Sequence, residues 1–267
     1  MASRSRIAII GVGNMGEAVL SGLVKAGRAP ADIVAGVRRS ERGEELASRY
    51  GVGTATADEA AASADILVLG VKPYDVVALL ASLELRPGQL VVSLAAGITT
   101  RAMEAAVPDG VAVVRTMPNT PSLIGEGMTV VAAGASASEE DLEDAVALVR
   151  AIGEVAVVPE SHVDAAAAIS GSGPAYVFYV AEALVEAGVH LGLPRATSTQ
   201  LVNQTLAGSS LLLRETGEHP AVLREQVTSP GGTTAAALRV LESAAVRAAF
   251  LDATRANRER SQELGSA

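Results

Sequence analysis

The chain has 267 residues, of which 49% are hydrophobic and 2% aromatic, and this apolar content excludes a disordered polypeptide. Its formal net charge of −9 and its lack of Trp argue against nucleic-acid binding, which needs basic patches and aromatic stacking surfaces. Because it has no Cys and its three His residues are far apart, we predict a cytoplasmic protein without disulfides or a bound metal.

The first part of the chain alternates short apolar runs with Ala-rich helical runs. Residues 1–6 lead directly into the first apolar run rather than into a signal sequence. Continuous apolar strands joined by helical connections are typical of a parallel, doubly wound sheet covered on both faces. One more helix is predicted to begin near Ser138, and the sheet to end near Pro159. The predicted strands are residues 7–10, 33–35, 66–69, 90–92, 111–114, 128–133 and 155–158.

From residue 161 onward the strand-like runs stop and helical periodicity takes over. Helices are predicted over residues 162–190, 195–216 and 232–263, with a short piece after Pro220. The sequence therefore predicts two domains, an α/β domain over residues 1–160 and an all-α domain over residues 161–267. Since the helical domain has few aromatic side chains, its own core would be small, and we expect its helices to form a dimer.

A glycine-rich motif, Gly11-Val12-Gly13-Asn14-Met15-Gly16, follows the first predicted strand and opens the first helix. In this G-x-G-x-x-G pattern Gly11 allows the tight turn, Gly13 lets the backbone approach a pyrophosphate, and Gly16 allows close packing of helix and strand. The helix N-terminus offers N–H groups to the phosphates. A glycine turn without a cofactor is the alternative, and the surrounding strand and helix pattern favours a dinucleotide site.

The residues after the second strand bear on the choice of cofactor. An NAD site usually has Asp or Glu about 20 residues beyond the motif, where it binds the ribose 2′-hydroxyl. This chain has Arg38, Arg39 and Ser40 there instead. Two guanidinium groups and a hydroxyl can bind a 2′-phosphate, so we predict a preference for NADPH, with NADH also possible. The alternative is a solvated basic pair on a loop.

Three further segments follow the carboxyl ends of predicted strands, at the edge of the sheet where doubly wound folds bind their ligands. Val71-Lys72-Pro73 follows one strand, and Ala95-Ala96-Gly97 follows the next, where small residues would let a cofactor lie against the backbone. Lys72 is either a cofactor contact or a solvated lysine. Asn119 lies in the loop after the fifth run, and its carboxamide can orient a nicotinamide or stabilise an Asx turn.

The helical half contains two loops rich in Gly and Pro, which are costly inside helices. For residues 170–176, tight helix packing is the favoured interpretation. Residues 228–234, Thr-Ser-Pro-Gly-Gly-Thr-Thr, open the last predicted helix, where free N–H groups and hydroxyls can bind a carboxylate. Helix capping alone would need only one of these hydroxyls.

Taken in chain order, these motifs resemble those of the pyrroline-5-carboxylate reductase family, over nearly the whole chain. The resemblance implies reduction of 1-pyrroline-5-carboxylate to L-proline, a Rossmann-type N-terminal domain, and an all-α C-terminal domain that forms homodimers, which the family often gathers into decamers. The motifs that carry it are Gly11-Val12-Gly13-Asn14-Met15-Gly16, Val71-Lys72-Pro73, Ala95-Ala96-Gly97, Met117-Pro118-Asn119-Thr120-Pro121, Ser170-Gly171-Ser172-Gly173-Pro174-Ala175-Tyr176 and Val227-Thr228-Ser229-Pro230-Gly231-Gly232-Thr233-Thr234.

The resemblance also implies roles for individual residues. Thr234 would be the catalytic residue that hydrogen-bonds the ring nitrogen, and Glu160 matches a position that contacts the substrate. Ala57 departs from the family, which often has Asn there, near the adenosine. The residues implied to hold the substrate carboxylate are Ser229, Gly231, Gly232 and Thr233.

The implied reaction does not require a strong general acid, in agreement with the lack of a Lys or His acid among the residues implied to bind the substrate. An imine nitrogen is far more basic than a carbonyl oxygen, so the substrate can arrive protonated, and positioning with one hydrogen bond can supply most of the catalysis. A related imine reductase stays open as an alternative. A second alternative is an enzyme like the β-hydroxyacid dehydrogenases, which would require a Lys or His base to deprotonate an alcohol. A third alternative is a non-catalytic nucleotide-binding sensor.

Overall fold

A computed structural model describes residues 6–265 of the chain, so most of the predicted lead-in over residues 1–6 lies outside the described residues. The chain divides into two compact units, one made of Met1–Ser172 with Asn257–Ala267 and the other of Gly173–Ala256. The predicted domain boundary after residue 160 stays a prediction. Within residues 6–265, no helix has the length and apolar character needed to cross a lipid bilayer.

The first unit is built on an eight-stranded sheet. The strands are β1 Ile7–Ile10, β2 Ile33–Gly36, β3 Gly53–Ala55, β4 Ile66–Leu69, β5 Leu90–Ser93, β6 Ala112–Met117, β7 Gly127–Ala133 and β8 Gly153–Val157. Their order in the sheet is β3-β2-β1-β4-β5-β6-β7-β8. Strands β1 to β6 are parallel, which confirms the predicted doubly wound arrangement. Strand β7 pairs antiparallel with β6 and parallel with β8.

The change of direction at β7 follows from a short connection. Between β6 and β7 the chain makes only a loop and the short 3-10 helix Thr120–Ile124. A parallel return needs a crossover of a dozen or more residues, usually with an α-helix, so this connection permits only an antiparallel neighbour.

Helices connect most of the strands, and their starts are set by local capping. Helix α6 begins directly after Ser138, as predicted, because the Ser138 side chain and Asp141 form a capping box. Helix α3 begins in the same way after Thr56, which pairs with Glu59. The helices of this part are α1 Asn14–Lys25, α2 Ser40–Tyr50, α3 Ala57–Ser63, α4 Pro73–Ser82, α5 Thr100–Glu104, α6 Glu139–Val149 and α7 Val163–Ala166.

The core of the first unit lies on both faces of the sheet. Alternate residues of one strand point to opposite faces, so Val68 packs in the cluster with α1, α2 and α6, whereas Leu67 and Leu69 pack in the cluster with α4 and α5. Leu67 is fully buried, and burial of such a side chain contributes about 2 kcal/mol. This two-sided burial explains why the strands are continuous apolar runs.

The second part of the chain is helical, as predicted, but two predicted helices are interrupted. In place of one helix over 162–190, the chain forms the short helix α7, the π-helical turn Ala167–Gly171 and then α8. The expected helix over 232–263 breaks at Ala245, whose φ of 54° is left-handed. The first break overlaps the Gly- and Pro-rich residues 170–176, which are costly inside helices, whereas the break at Ala245 has no local signal, because Ala favours helix. The helices are α8 Gly173–His190, α9 Arg195–Thr216, α10 Pro220–Gln226, α11 Thr233–Ser243 and α12 Val246–Gly265.

The second unit, Gly173–Ala256, lacks an apolar core of its own. Among its residues only Ser198 is buried. Large apolar side chains are exposed on several of its helices, for example Phe178 at 64% and Leu212 at 53%. Because such a surface is unfavourable in water, these helices need a covering surface.

Candidate active site

The loops after β1, β2 and β4 surround a cavity of about 780 Å³ at the carboxyl edge of the sheet. We call it the glycine-loop cavity. It brings together seven of the predicted cofactor residues, which come from three separate strand ends. They are Gly11, Gly13, Asn14, Arg38, Arg39, Val71 and Lys72.

The glycines of the motif have the geometry that the sequence predicted. Gly11 has a left-handed φ of 87°, and a Cβ there would lie 2.6 Å from Cγ1 of Val71. A Cβ on Gly16 would lie 2.6 Å from the Gly11 carbonyl oxygen, whereas one on Gly13 would have no neighbour within 4 Å. The backbone at Gly13 is therefore open to a ligand. The first N–H groups of α1 follow it and have no acceptor within the helix.

Gly70 is a part of this arrangement that sequence reasoning missed. It follows β4 directly, and a Cβ there would overlap the Gly11 carbonyl oxygen and approach Cα of Gly16 to 3.3 Å. The loop after β1, the start of α1 and the end of β4 therefore touch through backbone atoms. A glycine immediately after an apolar strand was the available signal.

The predicted basic pair lies at the glycine-loop cavity, and Arg38 has an acidic neighbour from another element. The side chain of Arg38 is 84% exposed, and its Nη2 lies 3.7 Å from Oδ2 of Asp75. Asp75 is in the first turn of α4 and also lines the cavity. This carboxylate was not predicted, because it belongs to α4 and not to the segment that follows the glycine-rich motif.

A network of charged side chains adjoins the glycine-rich loop. Glu17 of α1 accepts hydrogen bonds from Arg42, from Arg49 at 2.6 Å and from the Tyr50 hydroxyl at 2.8 Å. Glu45 accepts from Arg42 and Arg49, each at 2.7 Å. Burial acts to raise the pKa of Glu17, but the hydrogen bonds from Arg42 and Tyr50 outweigh it and the pKa is lowered. Glu17 is thus held as a carboxylate.

A second cavity, of about 750 Å³, contains other predicted cofactor residues, Pro73, Ala96 and Gly97. The end of α12 supplies part of its wall. Nδ2 of Asn257 donates to the Ser172 hydroxyl at 2.9 Å, and the Ser261 hydroxyl donates to Asp164 at 3.1 Å. The other lining residues are Tyr74, Ile98, Met117, Ala167 and Arg260.

Five predicted cofactor residues line neither cavity. Met15 packs against the core, Ala95 is 5% exposed and Ser40 is the first residue of α2. Gly16 acts through its close approach to Gly11. The fifth is Asn119.

Asn119 joins two parts of the first unit. Its Nδ2 donates to the Ser170 carbonyl oxygen at 2.9 Å, and its Oδ1 accepts from the Met128 N–H at 2.9 Å. Its side chain does not cap the following turn, so the Asx-turn alternative is not observed. One N–H of the carboxamide is thus already used, and a contact with a nicotinamide stays a prediction.

Glu160 belongs to an ion-pair cluster around the buried side chain of Arg115. Nη1 of Arg115 lies 2.9 Å from Oε1 of Glu160, and Nη2 lies 3.4 Å from Oδ1 of Asp164. The Arg115 side chain is only 4% exposed, and the same Glu160 oxygen also accepts from the Thr100 N–H at 3.2 Å. The other oxygen, Oε2, is buried without a hydrogen-bond partner within the described chain.

In the second unit, the loop before α11 forms a tight turn. The Gly232 N–H donates to the Ser229 carbonyl oxygen at 3.0 Å, and Gly231 has a φ of 69°. Pro at the second position and a left-handed Gly at the third are the combination of a type II turn. Gly232 is the N-cap of α11 and no side chain caps this helix, so Thr234 is not its cap.

Comparison with known proteins decides the family. A relative from Corynebacterium melassecola, named pyrroline-5-carboxylate reductase, is 47% identical over 265 residues and covers 97% of this chain and 98% of its own. The chain belongs to the pyrroline-5-carboxylate reductase family. A reductase of that name from Escherichia coli is 39% identical over 97% of this chain and 98% of its own.

Structures and family models agree with this membership. A pyrroline-5-carboxylate reductase from Coxiella burnetii has a TM-score of 0.94 and 37% identity, covering 98% of this chain and 99% of its own. One from Plasmodium falciparum, solved with NADP bound, has a TM-score of 0.85 and 28% identity, covering 99% of both chains. The model for pyrroline-5-carboxylate reductase dimerisation matches residues 160–264, and a model for coenzyme F420-dependent NADP oxidoreductases matches residues 6–97.

Proposed function

We propose that this protein reduces 1-pyrroline-5-carboxylate to L-proline with NADPH. The observation that carries the proposal is the 47% identity, over 97% of the chain, with a relative named for this reductase activity. The glycine-loop cavity fits the cofactor, because Gly13 faces open space beside the N-terminus of α1 and Arg38 is exposed beside it. When bound, NADPH supplies the hydride for the imine carbon.

The chain's own residues bind and orient the two reactants. Gly11, Gly13 and the first N–H groups of α1 hold the pyrophosphate, and Arg38, Arg39 and Ser40 bind the 2′-phosphate. Met15, Gly16 and Ala95 shape the backbone around the cofactor rather than contacting it through polar groups. The remaining proposed cofactor contacts are Asn14, Val71, Lys72, Pro73, Ala96, Gly97 and Asn119.

The turn before α11 is the proposed substrate-binding segment. Ser229, Gly231, Gly232 and Thr233 hold the carboxylate, and the Thr234 hydroxyl hydrogen-bonds the ring nitrogen. Thr234 is partly exposed and is not used as a helix cap, so its hydroxyl is available.

Glu160 is proposed to contact the substrate as well. Its Oε1 already accepts from Arg115 and from the Thr100 N–H, so this contact would use Oε2, which is buried and would have to become accessible when the substrate binds.

The test of the reaction is NADPH oxidation by the purified full chain with 1-pyrroline-5-carboxylate, together with detection of proline as the product. We expect oxidation that depends on both substrates. NADPH binding without oxidation would contradict the proposal and favour a nucleotide-binding sensor. Oxidation of a β-hydroxy acid with NADP⁺, and none of NADPH with the imine, would favour a dehydrogenase.

Replacing Arg38 and Arg39 together by Ala is expected to raise the KM for NADPH at least tenfold. Each charge-assisted hydrogen bond to the 2′-phosphate contributes roughly 1.5–3 kcal/mol, and about 1.4 kcal/mol corresponds to tenfold. The KM for NADH should change far less, since NADH lacks this phosphate. Steady-state kinetics with both cofactors measure the two values. Equal changes in both would contradict the assigned role.

The proposed assembly is a homodimer formed through residues 161–267. The second unit buries only Ser198, and its exposed apolar helices lie within the matched dimerisation segment 160–264. Homodimers usually form by pairing the same surface of two subunits about a two-fold axis. At micromolar concentration, sedimentation should show a species of at least twice 27.0 kDa, and a decamer would appear as a much heavier one. An active monomer would contradict this assembly.

The proposed location is the cytoplasm. A chain without Cys needs no oxidising compartment for its folding, which supports this proposal.

A further inference from the structure

Arg42 occupies a position in the glycine-loop cavity to which neither the motif nor the proposed function gives a role. It lies in the first turn of α2, and its side chain is 22% exposed. Its Nε and Nη2 lie 3.4 and 3.2 Å from the carbonyl oxygen of Val12, which is 30 residues earlier in the chain. The same guanidinium donates to Glu45 at 2.7 Å and to Glu17. It therefore joins α1, α2 and the glycine-rich loop.

The charge of Arg42 is already compensated by protein groups. The carboxylates of Glu17 and Glu45 both accept hydrogen bonds from Arg42. All three guanidinium nitrogens therefore donate to protein acceptors, the third acceptor being the Val12 carbonyl oxygen. Arg38 differs, because its side chain is 84% exposed and its carboxylate neighbour Asp75 lies 3.7 Å away. Arg38 is therefore open to a ligand phosphate, whereas Arg42 is committed to the protein.

The contact with Val12 acts on the backbone of the glycine-rich loop. The Val12 carbonyl and the Gly13 N–H belong to one planar peptide unit, so a bond that fixes the oxygen also fixes the direction of the N–H. That N–H donates to the Gly11 carbonyl oxygen at 2.9 Å within the loop, and the Gly13 carbonyl accepts from the Glu17 N–H at 2.8 Å. Both peptide groups of Gly13 are thus held in place.

We propose that Arg42 is a positioning residue that fixes the glycine-rich loop for the pyrophosphate, which NADPH and NADH share, and that it does not read the 2′-phosphate. This role rests on the proposed function, since it requires a dinucleotide at the loop. Glu17 supports this role because its carboxylate accepts a hydrogen bond from the Arg42 guanidinium. Arg49 and Tyr50 also donate to Glu17 and so fix its position.

Equilibrium titration of the full chain with NADPH and with NADH tests this role in Arg42→Met, which retains a long side chain but has no guanidinium. We expect the Kd for both cofactors to rise by the same factor, about tenfold, while kcat at saturating NADPH changes little. Arg38→Met is the matched comparison and should raise the Kd for NADPH alone. A rise for NADPH alone in Arg42→Met, or no rise for either cofactor, overturns the role.

Glu17→Gln gives a second test that does not depend on the folding of Arg42→Met. It keeps the size of the side chain and removes one charge that opposes Arg42. A positioning role predicts that the Kd for NADPH and NADH rises by one common factor. Tighter binding of NADPH alone would show that the released guanidinium acts on the 2′-phosphate, and unchanged Kd values would show that the network does not shape the loop, so either result overturns the role.

The wild-type titrations separate this role from the proposed function. A wild-type chain that binds neither cofactor overturns both. A wild-type chain that binds both, together with Arg42→Met that binds them equally well, overturns the role of Arg42 alone.

Discussion

Replacement of Thr234 by Ala is expected to lower kcat and kcat/KM together, by about 10²-fold. This is the low end of what groups that assist proton transfer contribute, and equal losses in the two constants are typical of an interaction made in the transition state. Thr234→Ser should retain much of the activity because it keeps the hydroxyl. Steady-state kinetics of both variants with 1-pyrroline-5-carboxylate measure the effect.

A thermal unfolding measurement on the same variants separates catalysis from stability. Loss of a helix cap would cost about 1 kcal/mol, but Gly232 is the N-cap of α11 and no side chain caps it, so the melting temperature of Thr234→Ala should change little. Thr216→Ala is a matched control for the loss of a threonine hydroxyl outside the proposed site, since the Thr216 hydroxyl donates to the Leu212 carbonyl of its own helix. A normal kcat with a lowered melting temperature in Thr234→Ala would reject the catalytic role.

Replacement of Arg115 by Met is expected to lower the free energy of unfolding by about 2 kcal/mol. Removal of one partner from a fully buried ion pair costs about 3–5 kcal/mol, because the other charge is left without compensation. Here Arg115 is 4% exposed, but the side chains of Glu160 and Asp164 are each 29% exposed, so water reduces the cost. Urea unfolding at one fixed chain concentration measures it.

Arg255→Met is the matched control for this prediction. Arg255 pairs with Asp252 at 3.5 Å, but the two side chains are 66% and 74% exposed. Exposed pairs contribute little, so we expect no measurable change in the unfolding midpoint. If Arg115→Met unfolds at the wild-type urea concentration, the cluster does not stabilise the first unit.

The predicted strands were those with a strong local signal. Residues 7–10 and 66–69 are buried apolar runs and were predicted with the observed limits. The short strand Gly53–Ala55 was missed, because it lies at the sheet edge, is mostly exposed and has no apolar run. The direction of β7 was missed as well, because it follows from the short connection before the strand and not from the apolar pattern, which defines only the faces of a strand.

In the site too, features that depend on local sequence could be predicted, whereas contacts between distant segments could not. The spacing of Gly11, Gly13 and Gly16 was sufficient to predict the loop geometry, because the roles of these glycines are local. The contact of Arg42 with Val12 joins residues 30 positions apart, and no spacing rule connects them. The carboxamide of Asn119 was predicted to orient a nicotinamide or to stabilise an Asx turn, whereas its bonds to Ser170 and Met128 depend on how distant segments pack.

The first compact unit is discontinuous, and this affects the order in which the chain can fold during synthesis. Residues Met1–Ser172 leave the ribosome early, but the unit also contains Asn257–Ala267. The hydrogen bonds of Asn257 with Ser172 and of Ser261 with Asp164 therefore form only after the intervening helices have been translated. A nascent chain that has just finished its sheet still lacks part of the wall of its second cavity, and a chain truncated before Asn257 can never complete that wall.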